Sequence, residues 1–205
     1  MQLGNFRYRG AVMSKEIEIV ITGFGGQGIV LTGNILGRAA TLYDHQHATM
    51  TQSYGPEARG GSCSAQVVIG QEEILFPYAE KPQVLICLSQ AGYDKNQASL
   101  IPDGLLIYDT DLVDPGPSAS RNAFHLPATR YAEQIGNKMM ANIVLLGFLS
   151  AVSEMVTPES LKTAVLESVP PRTRDKNAQA FDRGREYGQA ILRSRSKQNQ
   201  GQTTA

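Results

Sequence analysis

Residues 16–42 read EIEIVITGFGGQGIVLTGNILGRAATL, and the fold turns on how this stretch divides. Glu16 to Thr22 is dense in β-branched residues, which suit a pleated and half-buried chain. It runs into Gly23-Phe24-Gly25-Gly26-Gln27-Gly28. Ile29, Leu31, Ile35, Leu36, Ala39 and Leu42 then recur at the spacing of one apolar helix face. Strand, glycine turn and helix in that order open a parallel α/β unit.

The rest of the chain extends that unit. His47 to Ser53 is a second strand, Tyr54 to Gly61 a loop rich in Gly and Pro, and Cys63 to Ile69 a third strand with Glu73 to Phe76 as a short continuation. Val84 to Leu88 is an unbroken apolar run, as a central strand covered on both faces requires. Ser89 is placed to cap a helix reaching about Ser99. Pro102-Asp103-Gly104 makes a turn, Leu105 to Tyr108 and Asn122 to Leu126 are strands, and Asp111 to Arg121 is loop. Lys138 to Val152 is a helix apolar almost all round, which marks it as core or interface. Thr157 with Pro158 opens another helix that Pro170-Pro171 ends, and a last helix covers Asp175 to about Leu192. The pattern predicts one three-layer α/β/α domain, Rossmann-like, with a mostly parallel or mixed sheet.

The domain is expected over residues 15–193, between an N-terminal extension (1–14) and a polar disordered tail (194–205). Residues 1–14 hold Arg7 and Arg9 but no apolar stretch after them, so they do not read as a signal peptide, and Met13 is the expected natural start. The 205 residues can bury a core without metal or disulfide support. Lys+Arg and Asp+Glu both number 19, which removes the electrostatic case for nucleic acid or an anionic membrane. No apolar run spans a bilayer, since Asn142 breaks the longest. A soluble cytoplasmic protein is expected. Two cysteines cannot supply the four ligands of an iron–sulfur cluster.

Gly23, Gly25 and Gly28 match the dinucleotide fingerprint G-x-G-x-x-G in its strand–helix context. The acidic residue that a dinucleotide site wants after the second strand is missing, because that strand ends in Gln52-Ser53, and Gln27 is bulky for the loop. A tight turn without ligand, another phosphate, or a polar contact with a partner subunit all remain open. Arg59, followed by Gly60 and Gly61, suits an anion clamp, or equally a surface pair with Glu57. No catalytic constellation and no metal-ligand set stands out: His45 and His47 lack further ligands, Cys87 reads as an inert buried thiol, and Cys63 as partly exposed without a base. Arg172 to Glu186 reads as a solvated helix face with local ion pairs.

Three motifs carry a family likeness: IVITGFGGQGIVLTGNILG (19–37), SYGPEARGGSCSAQVVIG (53–70) and GNKMMANIVLLGFLSA (136–151), with VLICLSQAGYDK (84–95) weaker. The sequence resembles the gamma subunit of 2-oxoacid:ferredoxin oxidoreductases over residues 15–187. The resemblance implies a subunit without catalytic residues of its own. The complex would decarboxylate a 2-oxoacid oxidatively with coenzyme A as co-substrate and pass electrons to ferredoxin. It further implies thiamine diphosphate with Mg2+ in alpha and beta partner subunits, and iron–sulfur clusters in beta or a delta chain. The cast of the motifs looks most like 2-oxoglutarate enzymes, with pyruvate, branched-chain and indolepyruvate relatives behind. Gly23, Gly25, Gly26, Gln27, Gly28 and Arg59 would form an edge facing coenzyme A or the partner chains. The alternatives are a free-standing nucleotide-binding oxidoreductase and a pure scaffold.

Overall fold

Strand β3 (Glu16–Phe24) sits at the heart of the protein because both of its faces are apolar. Ile17, Ile19 and Ile21 point into one core and Val20 into a second. The computed structural model describes residues 7–8, 11–12, 16–56, 60–118 and 122–202. Two short antiparallel strands, β1 (Arg7–Tyr8) and β2 (Ala11–Val12), precede β3 and pair only with each other. The strands β4 (His47–Tyr54), β5 (Ser62–Gly70), β6 (Val84–Cys87), β7 (Leu105–Asp109) and β8 (Ala123–Leu126) complete a six-stranded sheet in the order β4-β5-β3-β6-β7-β8. The sheet is mixed. β3, β6, β7 and β8 are parallel, whereas β5 is antiparallel to both β3 and β4.

Helices cover both faces unequally. Helix α1 (Ile29–Arg38), which continues through a π-helical turn to Tyr43, shares the larger core with α3 (Ala128–Ile135), α4 (Ala141–Val152), α5 (Pro158–Ser168) and α6 (Arg174–Gln202). The opposite face carries α2 (Gln90–Asn96), whose Tyr93 packs with Val20, Leu85, Cys87, Leu106 and Val113. Ser89 and Thr157 cap α2 and α5 as the sequence suggested, accepting from the Gly92 and Ser160 amides. Helix α4 is core: Ile143 to Leu149 are all buried within the chain itself, which answers the choice left open between core and interface.

Several expectations need correcting. Glu73 to Phe76 is not a strand. The chain leaves the sheet after Gly70, and Leu75 is 87% exposed with no neighbouring strand to pair with. Helix α3 (Ala128–Ile135) is an element the sequence reading lacks: Ala128, Tyr131, Ala132 and Ile135 form a helical stripe against the main core, but it is only two turns long. The last helix does not stop at about Leu192; it runs to Gln202. Arg195 anchors it, lying 3.9 Å above the Phe124 ring and donating to the Ala123 carbonyl. The basic stretch of α6 is also less solvated than expected. Arg183 stacks on Tyr131 of α3, while Asp182 and Arg185 pair with Lys162 and Glu159 of α5.

Candidate functional site

Where β3 ends, the chain turns through the glycine loop into α1, and the β4–β5 hairpin loop arrives at the same end of the sheet. The two meet directly: the Gly25 amide donates to the Gly61 carbonyl at 2.9 Å. The sequence places the glycine loop and the 54–61 loop on one edge. The structure does so with β5 antiparallel, since Phe24 stands opposite Ser62. That arrangement removes the dinucleotide site, whose second parallel strand would have to occupy the position that β5 takes. Arg59, with Glu57 and Ala58, lies outside the described residues.

Gln27 explains its own presence in the loop. Its side-chain carbonyl accepts the Phe24 amide at 2.6 Å, and its Nε2 donates to the Leu88 carbonyl at 2.9 Å, just beyond β6. A side chain on Gly23 would fall 2.5 Å from that carbonyl oxygen. Gly28 turns the chain into α1 with φ near 74°, and a Cβ there would lie 2.5 Å from Nδ2 of the buried Asn142. Asn142 Nδ2 is 3.3 Å from both the Gly28 carbonyl and the Thr32 hydroxyl, so α4 holds the start of α1 in place. Gly26 faces outward, with open space where a Cβ would sit.

Beside the loop is a cavity of about 420 Å³, within the size range of small-molecule sites. Gly25, Gly26, Gln27, Thr129, Lys138 and Met139 line it. Thr129 is fixed through its amide and hydroxyl, both of which donate to Asp109, a buried carboxylate that also accepts from Asp111. Lys138 and Met139 are exposed, and Lys138 forms no ion pair among the described residues. The sequence reading included the GNKMMAN segment only as a likeness and passed over Lys138. Lys138, without an ion pair among the described residues, and the Gly26 backbone face one concavity, which favours an anionic group.

The chain's cysteines serve packing. Cys63 and Cys87 are both buried and belong to opposite faces of the sheet, so Cys63 is less accessible than expected. Burial pushes both thiols up, Cys87 far above the usual range with a small push from Asp94. Two separated, buried thiols do not fit an iron–sulfur cluster. Among the described residues no helix is long and apolar enough to cross a membrane.

Residues 18–187 match the family of pyruvate ferredoxin/flavodoxin oxidoreductases. The chain belongs to that family. It is 47% identical over 182 residues to the 2-oxoglutarate synthase subunit KorC of Methanocaldococcus jannaschii, covering 87% of this chain and 96% of that one. Among solved structures it is similar to the gamma subunit of a keto/oxoacid ferredoxin oxidoreductase from Geobacter sulfurreducens, with a TM-score of 0.79 and 34% identity over 86% of this chain and 98% of that one. The same fold recurs at 22% identity and a TM-score of 0.77 in the 2-oxoglutarate:ferredoxin oxidoreductase of Magnetococcus marinus, matching 87% of this chain but 32% of that longer one.

Proposed function

We propose that this family member is the gamma subunit of a cytoplasmic 2-oxoglutarate:ferredoxin oxidoreductase and that its glycine-loop edge helps hold coenzyme A. Alpha and beta chains, with or without a delta chain, would carry thiamine diphosphate and the iron–sulfur clusters and hand electrons to ferredoxin. The KorC likeness supports the substrate, and the Magnetococcus enzyme was solved with 2-oxoglutarate, coenzyme A and succinyl-CoA bound. The observation that carries the reading is the junction of Gly25 with Gly61 beside the cavity at Gly26 and Lys138. An anionic co-substrate would meet there the Gly26 backbone and Lys138, and Arg59 is the proposed second cation. This chain's part is to bind and orient, since the cavity presents a lysine and the Gly26 backbone rather than a nucleophile with its base.

The test begins with a tagged pull-down from anaerobic native lysate, assayed for coenzyme A-dependent reduction of an electron acceptor with 2-oxoglutarate and pyruvate separately. Co-purifying chains active on 2-oxoglutarate support the assignment; activity on pyruvate alone moves it to another member of the family. Arg59→Ala and Lys138→Ala in the assembled enzyme should each raise the KM for coenzyme A. If both leave it unchanged and weaken only subunit association, the edge is scaffold and the coenzyme A role is wrong.

A further inference from the structure

A second cavity, about 240 Å³, lies on the α2 side of the sheet, under the start of the β4–β5 hairpin loop. Its floor follows from strand register. Thr22 of β3 stands opposite Ser64 of β5, and Ser64 opposite Ser53 of β4. Directly opposed residues share a face, so three hydroxyls form a row across three strands, about 5 Å apart. Ser62, two residues before Ser64, joins them on the same face. Thr22 is 3% exposed, Ser64 is half-buried, and Ser53 and Ser62 open to solvent at the rim; among the described residues none of these four hydroxyls is spent on a partner within the chain. Helix α2 forms the wall. Gly92 lets it come in closely, because a Cβ there would lie 2.3 Å from the Thr22 hydroxyl. Lys95, one turn on, lines the same cavity and forms no ion pair among the described residues.

Hydroxyls that line a concavity and are not spent within the chain are available to a ligand as donors. A row of donors in one cavity with a cation that has no ion pair among the described residues matches a compact group with several acceptor oxygens and a double negative charge. Serine and threonine supply donors without adding opposing charge, and lysine acts on a phosphate as a point charge. We infer that this cavity is a subsite for a phosphate monoester dianion, held by Lys95 and the Thr22–Ser64–Ser53 row. Its volume exceeds that of one phosphate, so part of the attached sugar enters with it. It shares no lining residue with the glycine-loop cavity. The subsite stands on this geometry alone; assigning its phosphate to coenzyme A, which carries a monoester on its ribose, rests on the function proposed above.

The test has two arms. In the first, the 15N-labelled full chain is titrated with inorganic phosphate at constant ionic strength, with chloride as control. Saturable shifts of the Ser53, Ser64, Gly92 and Lys95 amides are expected. Lys95→Ala should weaken binding about tenfold, the scale of a charge-assisted hydrogen bond, while Lys95→Arg retains it and Lys138→Ala leaves it unchanged. Absent shifts, or shifts that survive Lys95→Ala, overturn the subsite. The second arm identifies the source by comparing coenzyme A with dephospho-coenzyme A in the assembled enzyme. Lys95→Ala should raise the KM for coenzyme A alone and leave kcat in place. An equal effect on both, with the first arm positive, assigns the phosphate to a different ligand.

Discussion

Helices α4 and α6 approach so closely that glycine is required on both, and this gives a test in which two rules predict opposite signs. A Cβ at Gly147 would lie 1.9 Å from the Phe181 carbonyl oxygen, and one at Gly184 would lie 1.9 Å from that of Val144. An ordinary contact begins near 3.4 Å, so either alanine must push the helices apart by about 1.5 Å. The obstacle is backbone inside a helix, which cannot swing away as a side chain would. Helix propensity alone favours alanine by about 1 kcal/mol. Overpacking costs about 1–3 kcal/mol and more when backbone must move, and separation also loosens Phe148 and Phe181, both fully buried. The net expectation for Gly147→Ala or Gly184→Ala is a loss of about 2 kcal/mol, which for a domain of this size lowers Tm by about 4–8 °C. Gly37→Ala is the control. It also lies in a helix, but its nearest obstacle, the Ala48 Cβ, is 4.0 Å away, so propensity should win and Tm should rise by about 1–3 °C. Thermal unfolding followed by circular dichroism decides. An unchanged or raised Tm in the two α4–α6 variants would refute the close-packing argument.

Gly28→Ala combines a left-handed backbone with a clash against Asn142, so the start of α1 should loosen, the cost should be about 2 kcal/mol or more, and amide exchange should speed up at residues 28–32. Asp109→Ala strands two Thr129 donors and the Asp111 amide, and a loss of about 3 kcal/mol in denaturant unfolding is expected. Burial raises the folded-state pKa of Cys63 and Cys87, so the stability this contributes is present below the unfolded value of about 8.5 and lost as pH climbs above it. At pH 8 a thiol reagent should therefore titrate both thiols only after denaturation. Arg195→Ala removes the stack on Phe124 and the bond to Ala123, and hydrogen exchange should show the backbone beyond Leu192 losing protection while β8 keeps its own.

What could be read from the sequence follows from where its signals are local. β3, β6 and α4 announce themselves because burial on both sides demands an apolar residue at nearly every position, and the caps Ser89 and Thr157 sit beside the amides they serve. The sense of β5 was not legible. Whether a strand runs with or against β3 depends on the whole connection through β4, and nothing within Ser62–Gly70 encodes it. The end of α6 failed for a similar reason. Its last turns are polar on every face, and what fixes them is one arginine reaching a phenylalanine 71 positions earlier in the chain. The candidate site repeats this division. The glycine loop was visible because a turn into a helix restricts residue type locally, whereas Lys138, Lys95 and the hydroxyl row matter only through what folding sets beside them. Thr22, Ser53 and Ser64 look like ordinary strand residues until the register aligns them. Gln27, which counted against a ligand loop in the sequence, gains its meaning from bonds to Phe24 and Leu88: it stiffens the turn from within and leaves Gly26 facing the cavity. A loop that satisfies its own backbone in this way is already shaped before a ligand arrives. The ordering cost that a flexible glycine turn would impose on binding is therefore largely met in folding.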